Sequence, residues 1–209
     1  MKRPRFDNAA CDTLAGCVQE IERNTDAELV IVVRARSANY AHADYLFGFF
    51  LALIILVFLI FSPFSFPEFL VPIDIAVAFV VGSIISWRSN AIRRLFSKEK
   101  FRNQSVRTAA AAMFYEAGIA NTNAEMGVLI YLSLMERRLE LIADRGVLKK
   151  VPAQDWNQQL FEMHKVGKEP DPVGFQKAIE QFGGILATHV PATGENPNEL
   201  PDKPRFELK

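Results

Sequence analysis

Two stretches of the chain carry almost no polar residues, and they constrain its architecture more than any other feature. Tyr45 to Phe61 reads YLFGFFLALIILVFLIF, about 17 residues without a charge and near the lower limit for a helix that crosses a bilayer. Phe69 to Trp87 reads FLVPIDIAVAFVVGSIISW, about 19 residues with one acid, Asp74. Core helices of a soluble protein would also be apolar, but a chain this short has no interior that covers two such helices on every side. The pattern therefore predicts a transmembrane hairpin, residues 45–61 and 69–87. Its terminal aromatics Tyr45, Phe47 and Trp87 suit the interfacial belt.

The polar stretches change period. Asp7 to Arg23 places Ala10, Leu14, Cys17/Val18 and Ile21 on one helical face, with Asp7 as cap and Asn24 as stop. Glu28 to Arg34 (ELVIVVR) is apolar at successive positions, the mark of a strand covered on both faces. Beyond the hairpin, Asn90 to Arg102 reads as a basic helix lying against the membrane. Ser105 to Ala117 reads as a helix closed by Gly118. Gly127 to Leu134 and Leu139 to Ala143 read as two strands of a hairpin, ended by Asp144-Arg145-Gly146. Helices follow from Pro152 to about His164 and from Val173 to Thr188, and the tail from Pro191 is expected to be extended or disordered.

A lone strand with its helix cannot form an independent domain. The order helix–strand, then helix–strand–strand–helix–helix, therefore predicts one small mixed-sheet α/β sandwich with the hairpin inserted after its first strand. The expected segments are 1–44 and 105–190 for the two parts of that domain, 45–87 for the hairpin, 88–104 for the juxtamembrane helix and 191–209 for the tail.

Charge adds orientation. The turn Ser62–Glu68 has no Lys or Arg, whereas Arg34 and Arg36 precede the first span and Arg88, Arg93, Arg94, Lys98, Lys100, Arg102 and Arg107 follow the second. The positive-inside bias predicts an inner-membrane protein with both termini and the α/β domain on the cytoplasmic side. Asp74 falls near the outer turn, where a carboxylate reaches the interface or is protonated; an ion, proton or helix-pairing role is the alternative and would need an oligomer. Net charge is zero, so no global field draws the protein to nucleic acid. The basic start, Met1 to Arg5, has no apolar run behind it and does not read as a signal peptide. Cys11 and Cys17 lack metal or disulfide spacing and read as small residues in a reducing compartment.

Five motifs in order carry a resemblance: Thr25 to Val33 (TDAELVIVV), Arg107-Thr-Ala-Ala with Phe114, Gly127 to Ser133 (GVLIYLS), Glu136 to Gly146 (ERRLELIADRG) and Asn198 to Asp202 (NELPD). Together they resemble the TPM domain family, in its bacterial membrane branch. The resemblance implies an α/β sandwich and a membrane-associated life. It also implies either assistance to a membrane complex or acid phosphatase activity with calcium binding. By resemblance alone, Thr122 is a candidate phosphate or metal contact.

The residues themselves offer little chemistry. The sequence has no G-x-S-x-G, P-loop, G-x-G-x-x-G, H-E-x-x-H or C-x-x-C. Carboxylates at strand ends remain: Glu28 opens the first strand and Asp144 closes the third, either as turn-forming residues or as ligands of a divalent cation such as Ca²⁺ or Mg²⁺, with Asp144 the candidate catalytic group. Glu136, beside Arg137 and Arg138, reads as charge in a hairpin turn. The sequence thus predicts a membrane-anchored binding or assembly module whose partners are the lipid bilayer and another membrane protein. The alternative is a metal-assisted, phosphatase-like hydrolase.

Overall fold

Aliphatic runs without alternation are stable as strands only when both faces are covered, and the two central strands of this protein meet that condition. A computed structural model describes residues 6–194 and 199–208; Met1 to Arg5 of the basic start and Asn198 of the tail motif lie outside the described residues. In chain order the elements are α1 (Asn8–Glu22), β1 (Glu28–Arg34), α2 (Ala41–Phe61), α3 (Val71–Arg88), α4 (Asn90–Leu95), α5 (Glu99–Glu116), β2 (Gly127–Ser133), β3 (Arg138–Ala143), α6 (Arg145–Lys150), α7 (Ala153–Lys168), α8 (Pro172–His189) and β4 (Arg205–Glu207). The chain divides into two compact units, residues 1–37 with 103–209, and residues 38–102.

The first unit is an α/β sandwich around a mixed sheet of order β3-β2-β1-β4. β1 runs parallel to β2 and to β4, and β2 runs antiparallel to β3. Leu29, Ile31 and Val33 of β1, with Val128, Ile130 and Leu132 of β2, face a core supplied by α1, α7 and α8 through residues such as Leu14, Met163 and Phe175. The alternate positions, Val30, Val32, Leu129 and Tyr131, meet Val106, Ala110, Met113 and Phe114 of α5 on the other face. Two covered faces explain why neither strand shows polar alternation.

Several boundaries differ from the expectation, each for a local reason. The tail contributes β4, which pairs with Val32–Arg34 at the edge of β1. Three residues in that register leave no room for a periodicity signal. Asp144-Arg145-Gly146 opens an additional short helix, α6, with Asp144 as its N-cap. The helices expected at 90–102 and 105–117 divide elsewhere: Ser89 caps α4 by accepting from the Ile92 amide, the helix stops at Leu95, and α5 runs unbroken from Glu99. The break at Phe96–Lys98 is held by Arg102, which donates to the carbonyls of Arg94 (2.8 Å) and Ser97. Gly118 stands at a left-handed φ of 75° after α5, as its position predicts.

The second unit pairs α2 with α3, two helices long and apolar enough to span a membrane. Their facing surfaces use small residues: Gly48, Ala52, Ala78, Gly82 and Ser86 are buried. A Cβ on Gly82 would stand 2.9 Å from the Gly48 Cα, so the close approach depends on both glycines. Phe49, Ile54, Phe58, Phe61, Ile73, Val77, Ile84 and Trp87 point outward and are exposed. Asp74, in the first turn of α3, is exposed as well.

The polar end of the pair is closed by one ion pair. Asp44 accepts from Arg93 Nε (2.9 Å) and a second Arg93 nitrogen (2.6 Å), and from Ser86 Oγ (2.8 Å), so one carboxylate joins α2, α3 and α4. Both charged side chains are buried, which makes the two-pronged contact strong and its disruption costly. Arg93 therefore leaves the set of cations expected to face lipid headgroups, and Arg102 is engaged with backbone carbonyls; Arg88, Lys98, Lys100 and Arg107 are exposed.

Asp44→Leu leaves a buried guanidinium unpaired and is expected to cost roughly 3–5 kcal/mol. The double variant Asp44→Leu/Arg93→Leu is expected to be distinctly milder. Chemical denaturation of the detergent-solubilised protein, analysed as a double-mutant cycle, checks both.

Candidate functional site

The start of β1 is where the candidate carboxylates gather. Glu28 pairs in register with Gly127 of β2, and the Asp144 amide donates to the Gly127 carbonyl (2.9 Å) at the end of β3. Glu28, Gly127 and Asp144 therefore form one row across the sheet. By strand alternation all three project toward the face covered by α5. The row brings Glu28 and Asp144 to the same end of the sheet, as the sequence suggests, but their backbones stand two strand spacings apart, roughly 10 Å. Between them the chain of Ile119 lies down on Gly127: a Cβ there would meet the Ile119 carbonyl at 2.5 Å. Gly127 thus admits Ile119 into the space that a shared ligand would need.

Each carboxylate is committed to a different structural task. Asp144 Oδ1 accepts from the Arg145 amide (2.7 Å) and caps α6. Glu28, 4% exposed, accepts on Oε1 from the Glu199 amide (3.1 Å) and so holds the returning tail. Burial first, then the nearby Glu199 and Asp202, push the Glu28 carboxyl above its ordinary range, against the opposing backbone hydrogen bonds. Thr122 is buried, and its hydroxyl accepts from the Met126 amide (3.2 Å), closing the loop ahead of β2. Among the described residues no group of three or more His, Cys, Asp or Glu side chains is placed to hold a metal ion. The donor set expected for a divalent cation, Asp144 with Glu28, does not converge on one point, so the residues do not fit that group.

The tail brings a further acid to this end. Glu22, the last residue of α1, accepts on Oε1 from the Leu29 amide (2.8 Å). Burial first, then Asp202 and Glu28, push Glu22 up to about 7. The return of the tail to this end is invisible in the sequence, because nothing in the residues around Asp202 shows that it folds back.

A second polar group occupies the opposite end, after the carboxyl ends of β1 and β2, where open α/β sheets commonly place ligands. Ser133 Oγ donates to Glu136, Ser37 Oγ donates to Ser133 Oγ (2.9 Å), and the Ser37 amide donates to the other Glu136 oxygen (2.7 Å). Tyr131 reaches Ser37 Oγ at 3.0 Å and is also bonded by Arg34, which pairs with Glu207 of β4. Burial raises the Tyr131 phenol, partly offset by Ser37 and Arg34.

Glu136 is buried, which its place beside two arginines in a tight turn does not suggest. The available signal is Ser133 three residues before it, at the last position of a two-sided strand. This chain of hydroxyls ends on a carboxylate and fixes the exit of β1 to the β2–β3 turn. Ser133 is fully buried, so its hydroxyl is a link in the clasp with no open approach for an attacking nucleophile.

No family model matches the chain. No curated protein matches it. An NMR structure of the BA42 protein from the psychrophilic bacterium Bizionia argentinensis sp. nov. is similar, with a TM-score of 0.57 and 15% identity, over 97% of this chain and 96% of that one. At this identity the likeness concerns the fold alone.

Asp144→Ala is expected to lower stability by about 1 kcal/mol through loss of the cap, with Asp144→Asn recovering most of it. Gly127→Ala drives a methyl group into the Ile119 backbone and is expected to cost roughly 1–3 kcal/mol. Denaturant midpoints of the variants check both values.

Proposed function

We propose that this protein is a membrane-anchored, TPM-like binding or assembly module, held in the bilayer by α2 and α3 and presenting its α/β unit on the cytoplasmic side. The observation that carries the reading is the outward face of the helix pair: only 17% of each candidate span is buried, and large aliphatic and aromatic side chains point away from the pair along its length. An apolar surface of that extent needs lipid or another apolar partner to cover it. The small-residue seam and the Asp44–Arg93 pair give this anchor a defined shape.

The α/β unit supports the binding reading by how it uses its polar groups. Asp144, Glu28, Thr122 and Glu136 each hold backbone or neighbouring side chains of the same unit. Exposed Arg88, Lys98, Lys100 and Arg107 follow the second span, whereas the turn between the spans carries no basic residue. That asymmetry favours the cytoplasmic side for the α/β unit.

Three measurements on the full chain test the proposal. The protein is expected to stay with membranes through alkaline carbonate extraction, and release would overturn the anchor. A photo-crosslinking residue in place of Val77 is expected to give one discrete protein adduct in native membranes; labelling of lipid alone would leave an anchor without a partner. Phosphate-ester hydrolysis with Mg²⁺ or Ca²⁺ is expected to stay at background, and metal-dependent turnover abolished by Asp144→Asn would replace the binding reading with a hydrolase.

A further inference from the structure

We propose that the elbow between α4 and α5, residues 95–100, is a binding site for anionic phospholipid, with Leu95 set in the acyl boundary and Lys98 and Lys100 engaging the headgroup phosphate. The inference rests on the membrane anchor proposed above and adds the class of lipid that the anchor selects.

The elbow is folded back against the start of the first span. Ser89 ends α3 in an extended conformation and caps α4. Arg93 of α4 then reaches Asp44 in the first turn of α2. Phe96, at the end of α4, packs edge-on against Phe47, with ring centroids 5.4 Å apart, and lies 5.7 Å from the Phe50 ring. Both partner rings belong to the apolar run that begins at Tyr45. Phe96 therefore stands level with the first turns of that run, where hydrocarbon gives way to headgroups.

The backbone of the elbow is fixed by one guanidinium. Arg102 donates to the Arg94 carbonyl (2.8 Å), to the Ser97 carbonyl and to Ser97 Oγ (3.3 Å), and Ser97 is buried. Arg93 and Arg102 are thus engaged by the protein itself, and Arg94 is half-buried. Lys98 and Lys100, directly after the held Ser97, are exposed. Glu99 between them is exposed too, but it opens α5, where the positive end of the helix favours a carboxylate. The elbow therefore presents more cations than acids to its surroundings.

Leu95 decides which anion suits this surface. A single exposed leucine is ordinary on a soluble surface, but this one is 80% exposed and adjoins a ring packed on a membrane span. Inorganic phosphate would leave Leu95 uncovered. An anionic phospholipid carries an acyl chain and a phosphate on one molecule and covers both kinds of group at once. Lysine fits the same border, because its apolar stem lies along hydrocarbon while its ammonium reaches the headgroup.

A photo-crosslinking residue in place of Leu95 tests the site in the full chain, reconstituted into phosphatidylcholine vesicles with a minor share of phosphatidylglycerol. The same residue in place of Phe61, exposed at the far end of α2, serves as reference. Mass spectrometry of the adducts at position 95 is expected to show phosphatidylglycerol enriched over its bulk share by about fivefold for each lysine engaged. Position 61 is expected to report the bulk share. Raised salt, or Lys98→Gln with Lys100→Gln, is expected to return position 95 to the bulk share, whereas Lys98→Arg with Lys100→Arg keeps the enrichment. The bulk share at position 95 with both lysines present would overturn the proposal and leave the anchor standing. Enrichment that survives the glutamine substitutions would overturn it as well, as would enrichment abolished by inorganic phosphate at constant ionic strength. Failure of position 95 to label lipid while position 61 does would place the elbow outside the bilayer and overturn the site alone. Failure at both positions would overturn the anchor, and the site with it.

Discussion

Parallel pairing of β1 with β2 sets the layout of the chain. Two antiparallel strands can be joined by a two-residue turn, but parallel neighbours require the chain to cross from the end of one strand to the start of the other. Here that crossing holds everything from Ala35 to Met126, including the apolar helix pair and α5. The long insertion is therefore placed in a connection of the sheet that could not be a tight turn. Its return helix, α5, then covers the face of the sheet that α1, α7 and α8 leave bare.

Such an insertion puts a mechanical demand on the exit of β1. The hydroxyl chain from Tyr131 through Ser37 and Ser133 to Glu136 ties the first residues beyond β1 to the β2–β3 turn. The Leu134 and Met135 amides add backbone bonds to the carbonyls of Arg34 and Ala35. At the other end of the strand, Glu28 and Glu22 hold the tail and the β1 start. Buried polar groups thus sit at both ends of a strand whose middle is wholly aliphatic, where they fix register without interrupting either core.

Some of this was legible in the residues. The two-sided burial of β1 and β2 followed from their unbroken β-branched runs, and the cap at Asp7 and the stop at Gly118 followed from local chemistry. The helix pair was visible because two runs of about 20 apolar residues cannot both be hidden inside a domain of this size. The candidate site was harder to read. Glu28 and Asp144 do share an end of the sheet, but Gly127 looks like an ordinary strand-opening residue until Ile119 is seen resting on it. Arg93 looks like one more cation in a basic run until Asp44, 49 residues earlier, is seen facing it.

The residues alone fixed the long helices and the three main strands, their apolar faces and the place of the long insertion, but not the short α6 or the break between α4 and α5. The task of each carboxylate was set by the folded chain. Asp44 and Glu28 find their partners on segments distant in the chain, at Arg93 and Glu199. The reason is physical: a backbone pattern reports the average environment of a segment, but the fate of a buried charge depends on the single donor or acceptor that folding sets against it. β4 shows the same limit, since three residues of strand become recognisable only once β1 offers an edge for them to pair with.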